Sequence, residues 1–524
     1  GTGVARSWPQ VQRRPFLLPK ISPPEADPSR KDHKTPLATL CPGSYLSPAA
    51  RGGDLILGDI ADGVTRGVEG AVSTVSEAFF EPVVRLGVTG LSRSGKTIFI
   101  TSLVANLLDR GRMPGLVAAT EGRINTAYHQ PQPDDTLPRF DYETHHGAHR
   151  AAPPIWPEST RGVSELRLAL KVRPSGLLSG LQGPRTIHID IVDYPGEWLL
   201  DLGLLDKSFA DWSAETLART QTRDQGAEYR DALASIDASA KLDEPTATSL
   251  ARAFTDYLTA ARAAGYSDCT PGRILLPGDL AGSPALTFAP LPPGAAPRGA
   301  LAREFERRFE AYKRRVVTPF FRDHFARIDR QIVLADVLGA IHAGPAAVED
   351  LRQAMADILG AFRPGRNAFL KQIFMGRRVE KILFAATKAD HIHSSQHRRL
   401  TAITEALLAD AKARADFAGA STRALSMASI RATTEDQVAH NGAPLKVVRG
   451  QLLSTGKMAA FHPGELPEDP AHLLQPARSG STAWLDGDYG IMAFAPQHLT
   501  LKPGDGPPHI RLDQAIEFLI GDRL

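Results

Sequence analysis

Residues 90–97 read Gly90-Leu91-Ser92-Arg93-Ser94-Gly95-Lys96-Thr97 and match the pattern G-x-x-x-x-G-K-[ST] at every fixed position. Residues 83–89 before them form the short apolar run of a buried strand, and residues 98–108 after them have the pattern of a helix. In such a turn the glycines let backbone N–H groups face phosphate oxygens, and the helix adds the positive end of its dipole. Lys96 would reach the β and γ phosphates, and the Thr97 hydroxyl would bind Mg²⁺. The stretch therefore predicts a phosphate-binding loop, with an ordinary glycine-rich turn as the simple alternative.

The same alternation of strand and helix continues along the chain. Strand patterns lie at residues 164–172, 185–192, 331–338, 381–386 and near 424–428, and helix patterns lie at 346–362, 398–414 and 512–520. Because strands that alternate with helices form a mostly parallel sheet flanked by helices, we predict an α/β fold, and the phosphate loop makes it one of the P-loop NTPase type. Residues 110–160 are rich in proline and are expected to form loops, with His145, His146 and His149 exposed to solvent.

Composition divides the chain into four segments. Residues 1–57 are rich in proline and basic residues and are expected to form a disordered tail. Residues 58–197 begin with an apolar stripe from Ile60 to Phe79, which predicts a helix ahead of the first part of the α/β domain. The stripe is expected to pack on that domain rather than on a membrane, because its opposite face mixes both charges. Residues 198–330 predict a large all-helical insertion, and residues 331–524 complete the domain with further elaborations.

A second motif follows the strand pattern at 185–192. Asp193 and Gly196 form D-x-x-G. In a P-loop fold, an aspartate at the end of a neighbouring strand holds Mg²⁺, usually through water, and the glycine N–H contacts the γ-phosphate. Aspartate and glycine are also common at turns, so the pattern alone does not indicate a site. Its position after the phosphate loop and at the end of a strand favours a metal and phosphate site.

A third motif, T-K-x-D, ends the strand pattern at 381–386. Its residues are Thr387, Lys388 and Asp390. A carboxylate there can accept two hydrogen bonds from guanine, at N1–H and at the exocyclic amine, whereas adenine offers no such pair of donors. The stem of Lys388 can cover the base. A solvated turn is the alternative, but the order of the three motifs favours a site for GTP or GDP with Mg²⁺.

Charge and cysteine content exclude several other classes. The chain has 61 basic and 58 acidic residues, a formal net charge of +3, so no nucleic-acid binding is expected. Cys41 and Cys269 lack metal-ligand spacing and exclude a disulfide scaffold, which fits a reducing compartment. Without a long apolar run or the order of a signal peptide, we expect no transmembrane segment and a cytoplasmic location.

The order of the motifs resembles the translation-factor-like (TRAFAC) class of P-loop GTPases, which implies a GTPase-like form of the predicted P-loop NTPase fold and a GTPase domain formed by residues 58–197 and 331–524. The phrases GVTGLSRSGKT, DIVDYPGEWLLDL, ATKADHI and PHIRLDQAIEFLIGDRL are more narrowly similar to the YcjX-like family of bacteria, over residues 58–524. The resemblance implies that residues 90–97 bind phosphates, that Asp193 and Gly196 sense metal and γ-phosphate, and that Thr387, Lys388 and Asp390 bind the base.

The resemblance also implies further roles. The threonine that GTPases place before their second strand, which senses Mg²⁺ and γ-phosphate, would be Thr160 or Ser159, and we select Thr160 as a metal ligand and catalytic residue. Ala428 and Ser429 would lie near the base. Members of this family are associated with envelope stress and with a membrane-protein neighbour. A membrane-protein or activating partner and a peripheral position at the inner membrane are therefore expectations from the resemblance.

Glu197 departs from the pattern of small GTPases, which commonly carry a glutamine after D-x-x-G to position the attacking water. A carboxylate can orient water, but its charge opposes the phosphates. We therefore expect Glu197 to support slow intrinsic hydrolysis, assisted by Arg93, Arg123 or Arg161 or by a partner.

The leading hypothesis is thus a GTPase that acts as a nucleotide-dependent switch. A P-loop ATPase or kinase would require Asp390 to have no role in choosing the base. A non-catalytic, nucleotide-stabilised scaffold that binds a membrane partner is the third hypothesis, and Glu197 and the large insertion favour it.

Overall fold

The computed structural model describes residues 81–91, 93–157, 162–175, 183–361, 379–417, 420–440, 442–480, 485, 490–498 and 501–524. The tail predicted at 1–57 and the helix predicted between Ile60 and Phe79 lie outside these residues.

A seven-stranded sheet in the order β2-β3-β4-β1-β5-β6-β7 forms the centre of the described fold. Its strands are β1 (Val83–Gly90), β2 (Ile124–Gln130), β3 (Ser164–Val172), β4 (Arg185–Asp193), β5 (Arg330–Ala335), β6 (Lys381–Ala386) and β7 (Ser421–Ser426). The strands from β4 to β7 pair in parallel, whereas β2 and β3 add antiparallel pairs at one edge. The α/β fold with a mostly parallel sheet is therefore confirmed.

Helices cover both faces of this sheet. They are α1 (Lys96–Leu108), α2 (Val117–Thr120), α3 (Tyr142–Arg150), α4 (Glu197–Leu200), α5 (Phe209–Thr222), α6 (Ala227–Ala234), α7 (Glu244–Ala263), α8 (Gly272–Leu275), α9 (Leu301–Tyr312), α10 (Thr318–Asp323), α11 (Val337–Ala343), α12 (Pro345–Ala361), α13 (His397–Phe417), α14 (Ala471–Ser479) and α15 (Leu512–Ile520). Successive residues of a strand point to opposite faces. In β6, Phe384 accordingly belongs to one apolar core and Leu383 to the other.

The described chain between β4 and β5 is helical, from α4 to α10. Aromatic side chains fill its interior, where Trp212 stacks on Phe309 with ring centroids 5.0 Å apart. Trp198, just after β4, packs edge-on against Phe320 at 5.4 Å, and both belong to the same core as the sheet residue Phe384. This helical segment is therefore packed onto the sheet through the residues that follow β4.

Three elements, α2, β2 and α3, interrupt the loops predicted for residues 110–160. The edge strand β2 lacks the apolar alternation by which a strand is recognised in sequence. It is stabilised by antiparallel pairing with β3. The helix α3 is capped by Asp141, whose side chain accepts the Thr144 N–H at 3.1 Å. Its last turn buries His149 against the ring of Trp156, so this histidine is not solvated.

The strand predicted at 331–338 is too long. Asp336 accepts the Gly339 N–H at 2.9 Å and caps α11, so the apolar residues Val337 and Leu338 start a helix. The strand expected near 424–428 lies earlier, at β7. The helix predicted at 512–520 is α15, as expected.

Two distant parts of the chain complete the core beside α15. The N–H of Gly115 donates to Oδ2 of Asp513 at 2.6 Å, across 398 residues of sequence. Arg330, on β5, is fully buried and donates from Nε to the carbonyl of Leu519 at 2.9 Å. Hydrogen bonds thus connect α15 both to the segment after α1 and to the centre of the sheet.

A smaller sheet lies in the C-terminal part. It has the order β10-β9-β8, formed by β8 (Thr433–His440), β9 (Ala443–Gln451) and β10 (Met458–Phe461). Its apolar core contains Ala432, Val448 and Phe494, with Trp156 packed against them. Among the described residues, no helix combines the length and the apolar character needed to cross a membrane.

Candidate functional site

The phosphate-loop candidate is a tight turn between β1 and α1. Two of its residues have positive φ, Arg93 at 61° and Gly95 at 77°. The N–H of Leu91 donates to the carbonyl of Leu334 at 3.1 Å, which fixes the start of the loop against β5. The N–H of Phe99 donates to the carbonyl of Gly95 at 2.9 Å and starts α1. The sequence thus folds into the strand, turn and helix that a phosphate loop requires.

Behind this loop, Lys96 and Asp193 form an ion pair with Nζ and Oδ1 2.6 Å apart. Asp193 ends β4, beside Val88 of β1, so the parallel sheet brings the second motif to the first. The other carboxylate oxygen, Oδ2, is buried without a hydrogen bond, and Thr97 is 5% exposed. An aspartate oxygen and a threonine hydroxyl are ligands suited to Mg²⁺, so these residues fit that ion.

Gly196 packs directly on the phosphate loop. A Cβ at this position would lie 2.5 Å from the carbonyl oxygen of Gly90 and 3.1 Å from the nitrogen of Leu91. Real Cβ atoms essentially never come within 3.0 Å of a heavy atom outside their own residue and its two chain neighbours. Only glycine therefore allows the second motif to lie this close to the first.

Glu197 is 3% exposed and forms an ion pair with a residue of the helical segment. Its Oε1 lies 3.0 Å from Nε of Arg262, on the last turn of α7. The N–H does not point along the hydrogen-bond direction, so both atoms lack a hydrogen bond although they lie within ion-pair distance. The predicted water-positioning carboxylate is thus held next to a cation.

The base-motif residues stand at the end of β6. Lys388 has a φ of 60°, and its Nζ donates to Oδ2 of Asp336. Asp390 is 4% exposed, and its Oδ2 accepts the Ala432 N–H at 2.7 Å. The hydroxyl of Thr387 donates to the Ala335 carbonyl at 3.3 Å. These bonds fix the three side chains at the carboxyl end of the sheet.

One cavity of about 810 Å³ joins the phosphate loop to the base motif. Predicted site residues on its wall are Arg93, Ser94, Gly95, Thr387, Lys388, Asp390, Ala428 and Ser429. The remaining described candidates are not on the cavity wall; these are Gly90, Lys96, Thr97, Asp193, Gly196 and Glu197. Ser92, Ser159, Thr160 and Arg161 lie outside the described residues. Arg123 is not on the wall either and pairs instead with Glu121, Nε to Oε2, at 2.6 Å.

The sequence analysis assigns no role to several residues of the cavity wall, among them Asp336, Phe494, Trp156 and Arg262. Asp336 follows β5, and its place at a strand end is a signal that could have found it. Phe494 accepts the indole N–H of Trp156 at 2.8 Å and lies 5.2 Å from the ring of His391, whose pKa is lowered by burial. Arg262 lies within a charged helical pattern that gives no such signal. Asp336 and Arg262 meet the motif residues Lys388 and Glu197 only in three dimensions.

Comparisons with known proteins show the family of this chain. A model of the YcjX-like family, DUF463, matches residues 84–524. The chain is similar to the Escherichia coli protein named Ras-like GTPase YcjX, with 40% identity over 456 residues that cover 84% of this chain and 96% of that protein. The Shewanella oneidensis protein of the same name is 34% identical over 467 residues, which cover 84% of this chain and 94% of that protein. The chain therefore belongs to the YcjX-like family.

Proposed function

We propose that this protein binds GTP and GDP with Mg²⁺ and hydrolyses GTP to GDP and phosphate. The observation that carries the proposal is the single cavity of about 810 Å³ between the phosphate loop and the carboxylate of Asp390. Small-molecule sites commonly have volumes of about 300–1,000 Å³. The name Ras-like GTPase of two relatives supports the same class of ligand.

The base would be chosen by Asp390. Its Oδ2 is fixed by the Ala432 N–H, so the carboxylate is held at the cavity wall, where guanine N1–H and the exocyclic amine would donate to it. The ammonium of Lys388 pairs with Asp336, which leaves the aliphatic stem along the wall to cover the base.

The phosphate end would be served by the other two motifs. Lys96 would bind the β and γ phosphates, while Thr97 and Asp193 would hold Mg²⁺. When bound, Mg²⁺ neutralises charge that develops on the phosphates. The N–H of Gly196 would contact the γ-phosphate. Because Gly196 packs on Gly90, loss of that phosphate would allow the segment after β4 to move. This movement would be the basis of a nucleotide-dependent switch.

Glu197 would orient the attacking water, and its burial supports slow intrinsic hydrolysis. Thr160 remains a prediction for the second Mg²⁺ contact. The link with envelope stress, a membrane-protein or activating partner and a position at the inner membrane likewise stay predictions from the family resemblance.

The test is calorimetric titration of the purified protein with GDP and with ADP in Mg²⁺. We expect GDP to bind and ADP to give no signal, whereas equal or preferred ADP binding would favour a P-loop ATPase or kinase. Asp390→Asn should shift preference from GTP towards xanthosine triphosphate, because the amide offers a donor where the carboxylate accepts. An unchanged preference would contradict the role of Asp390.

A non-catalytic, nucleotide-stabilised scaffold is the second candidate. It is favoured by the ion pair between Glu197 and Arg262, which engages the carboxylate that would otherwise orient water. Phosphate release measured over hours separates the two functions. Release above that of a Lys96→Ala control supports a slow enzyme, and equal release supports the scaffold.

A further inference from the structure

The last turn of α7 touches both elements at the phosphate end of the cavity. Arg93, in the phosphate loop, donates from Nη2 to the carbonyl of Ala263 at 3.0 Å. One residue earlier, Arg262 lies with Nε 3.0 Å from Oε1 of Glu197. A single helical turn of the segment between β4 and β5 therefore meets the phosphate loop and the residue after D-x-x-G together.

The position of Glu197 is fixed from its backbone as well. A Cβ at Gly272 would overlap the carbonyl of Glu197, so α8 packs closely on this residue from the helical segment. The side chain of Glu197 is 4% exposed and that of Arg262 is 24% exposed. Arg262 also lines the cavity, whereas Glu197 does not. Of the two partners, only Arg262 thus contributes to the cavity wall.

The charges of Glu197 and Arg262 determine how this pair would act on a bound nucleotide. A buried carboxylate close to a triphosphate repels it, and the repulsion is strong where water is largely excluded. A glutamine at the same position would carry no charge. An ion pair of Glu197 with Arg262 also has no net charge, so the pair can occupy the place of a neutral side chain.

We propose that Arg262 is a positioning residue that neutralises Glu197 and thereby makes this carboxylate compatible with the γ-phosphate of GTP. The inference rests on the proposed function. It assigns to the helical segment a direct part in nucleotide discrimination, because GTP carries a γ-phosphate beside the pair and GDP does not. Removal of the cation should therefore weaken GTP binding more than GDP binding.

The test is a double-mutant cycle at the two positions, measured as the affinity for a non-hydrolysable GTP analogue divided by that for GDP. We expect Arg262→Ala to lower this ratio by about tenfold, a coupling of ordinary size for groups that share one charged network. Glu197→Gln in the Arg262→Ala background should restore most of the ratio, because the unpaired charge is then gone. Arg262→Lys should keep the ratio close to that of the wild type.

Arg252→Ala is the matched control, since Arg252 is an exposed arginine on the same helix. Additive effects in the cycle would overturn the inference, because the arginine would then act on the nucleotide directly. An unchanged ratio in Arg262→Ala would overturn it as well. Thermal unfolding of each variant checks its fold, and an unfolded Arg262→Ala is replaced in the cycle by Arg262→Gln.

The two failures are distinguishable. If the wild-type protein binds no guanine nucleotide, the proposed function fails. If the wild-type protein binds and hydrolyses GTP but the cycle is additive, only the role of Arg262 fails.

Discussion

Gly196→Ala is the substitution for which the structure gives the clearest expectation. The φ of Gly196 is −66°, which any residue adopts, so the backbone itself tolerates alanine. The added methyl group would lie 2.5 Å from the oxygen and 2.7 Å from the carbon of the Gly90 carbonyl. Both atoms belong to the backbone of the phosphate loop, so no side-chain rotation can relieve the overlap.

The overlap can be relieved in two ways, and both are measurable. If the segment stays in place, overpacking should lower the free energy of unfolding by about 1–3 kcal/mol. If the segment instead moves away by about 1 Å, the N–H of residue 196 leaves the γ-phosphate, and a misplacement of that size can slow a reaction by about 100-fold. We expect a mixture of the two, with GTP-analogue affinity and hydrolysis reduced and GDP affinity changed by less than about threefold.

The assay combines urea unfolding with calorimetric titration of GDP and a GTP analogue. Gly203→Ala is the matched control, because Gly203 lies seven residues later, has no positive φ and has nothing within 4 Å of an added Cβ. Its effect on the free energy of unfolding should stay within about 0.5 kcal/mol. If Gly196→Ala matches both Gly203→Ala and the wild type in stability, affinity and hydrolysis, the packing argument is wrong.

Three further predictions concern other parts of the cavity and its surroundings. Lys96→Ala removes the cation of the phosphate loop and leaves Asp193 unpaired, so GTP affinity measured by calorimetry should fall by about 100-fold, and a change below threefold would contradict its role. Burial lowers the pKa of His149 to about 4, from an ordinary 6.5. The neutral form is thus favoured in the folded protein, and stability should be lost as the pH falls from about 6.5 to about 4. His149→Phe should reduce that loss in thermal unfolding measured across this range, whereas equal pH profiles would count against the explanation. Trp156→Phe removes the 2.8 Å hydrogen bond to the carbonyl of Phe494, and should cost about 1 kcal/mol of unfolding free energy and weaken GDP binding severalfold. Stability and affinity that both match those of the wild type would show that this bond does not support the cavity wall.

The sheet could be predicted from sequence wherever a strand is buried on both faces. After Lys381 the residues of β6 form a continuous apolar run, and the predicted bounds of this strand agree with the structure. The motifs at the ends of β1, β4 and β6 could be placed together because parallel neighbouring strands present their carboxyl ends at one edge. Strand order was not needed for that inference, only the parallel direction.

The parts that escaped prediction depend on tertiary contacts. The strand β2 is stabilised by its partner rather than by its own pattern, and Asp336 ends β5 through a cap that an apolar pattern conceals. The pair of Arg262 with Glu197 joins residues 65 positions apart on the two helices α7 and α4, which no local spacing indicates. Trp156 and Phe494 likewise meet across 338 residues.

The hydrogen bond between Gly115 and Asp513 joins residues that the ribosome synthesises at very different times. The ribosome adds roughly 5–20 residues per second, so the 398 residues between these partners take about 20–80 s to synthesise. During that interval β1 and α1 exist without the helix that covers them. The hydrogen bond from Arg330 to the carbonyl of Leu519 likewise forms only after a further 189 residues have been synthesised. The strand and helix that flank the candidate phosphate loop are thus synthesised early and covered late, so their apolar surface lacks its final partner for most of the synthesis of the chain.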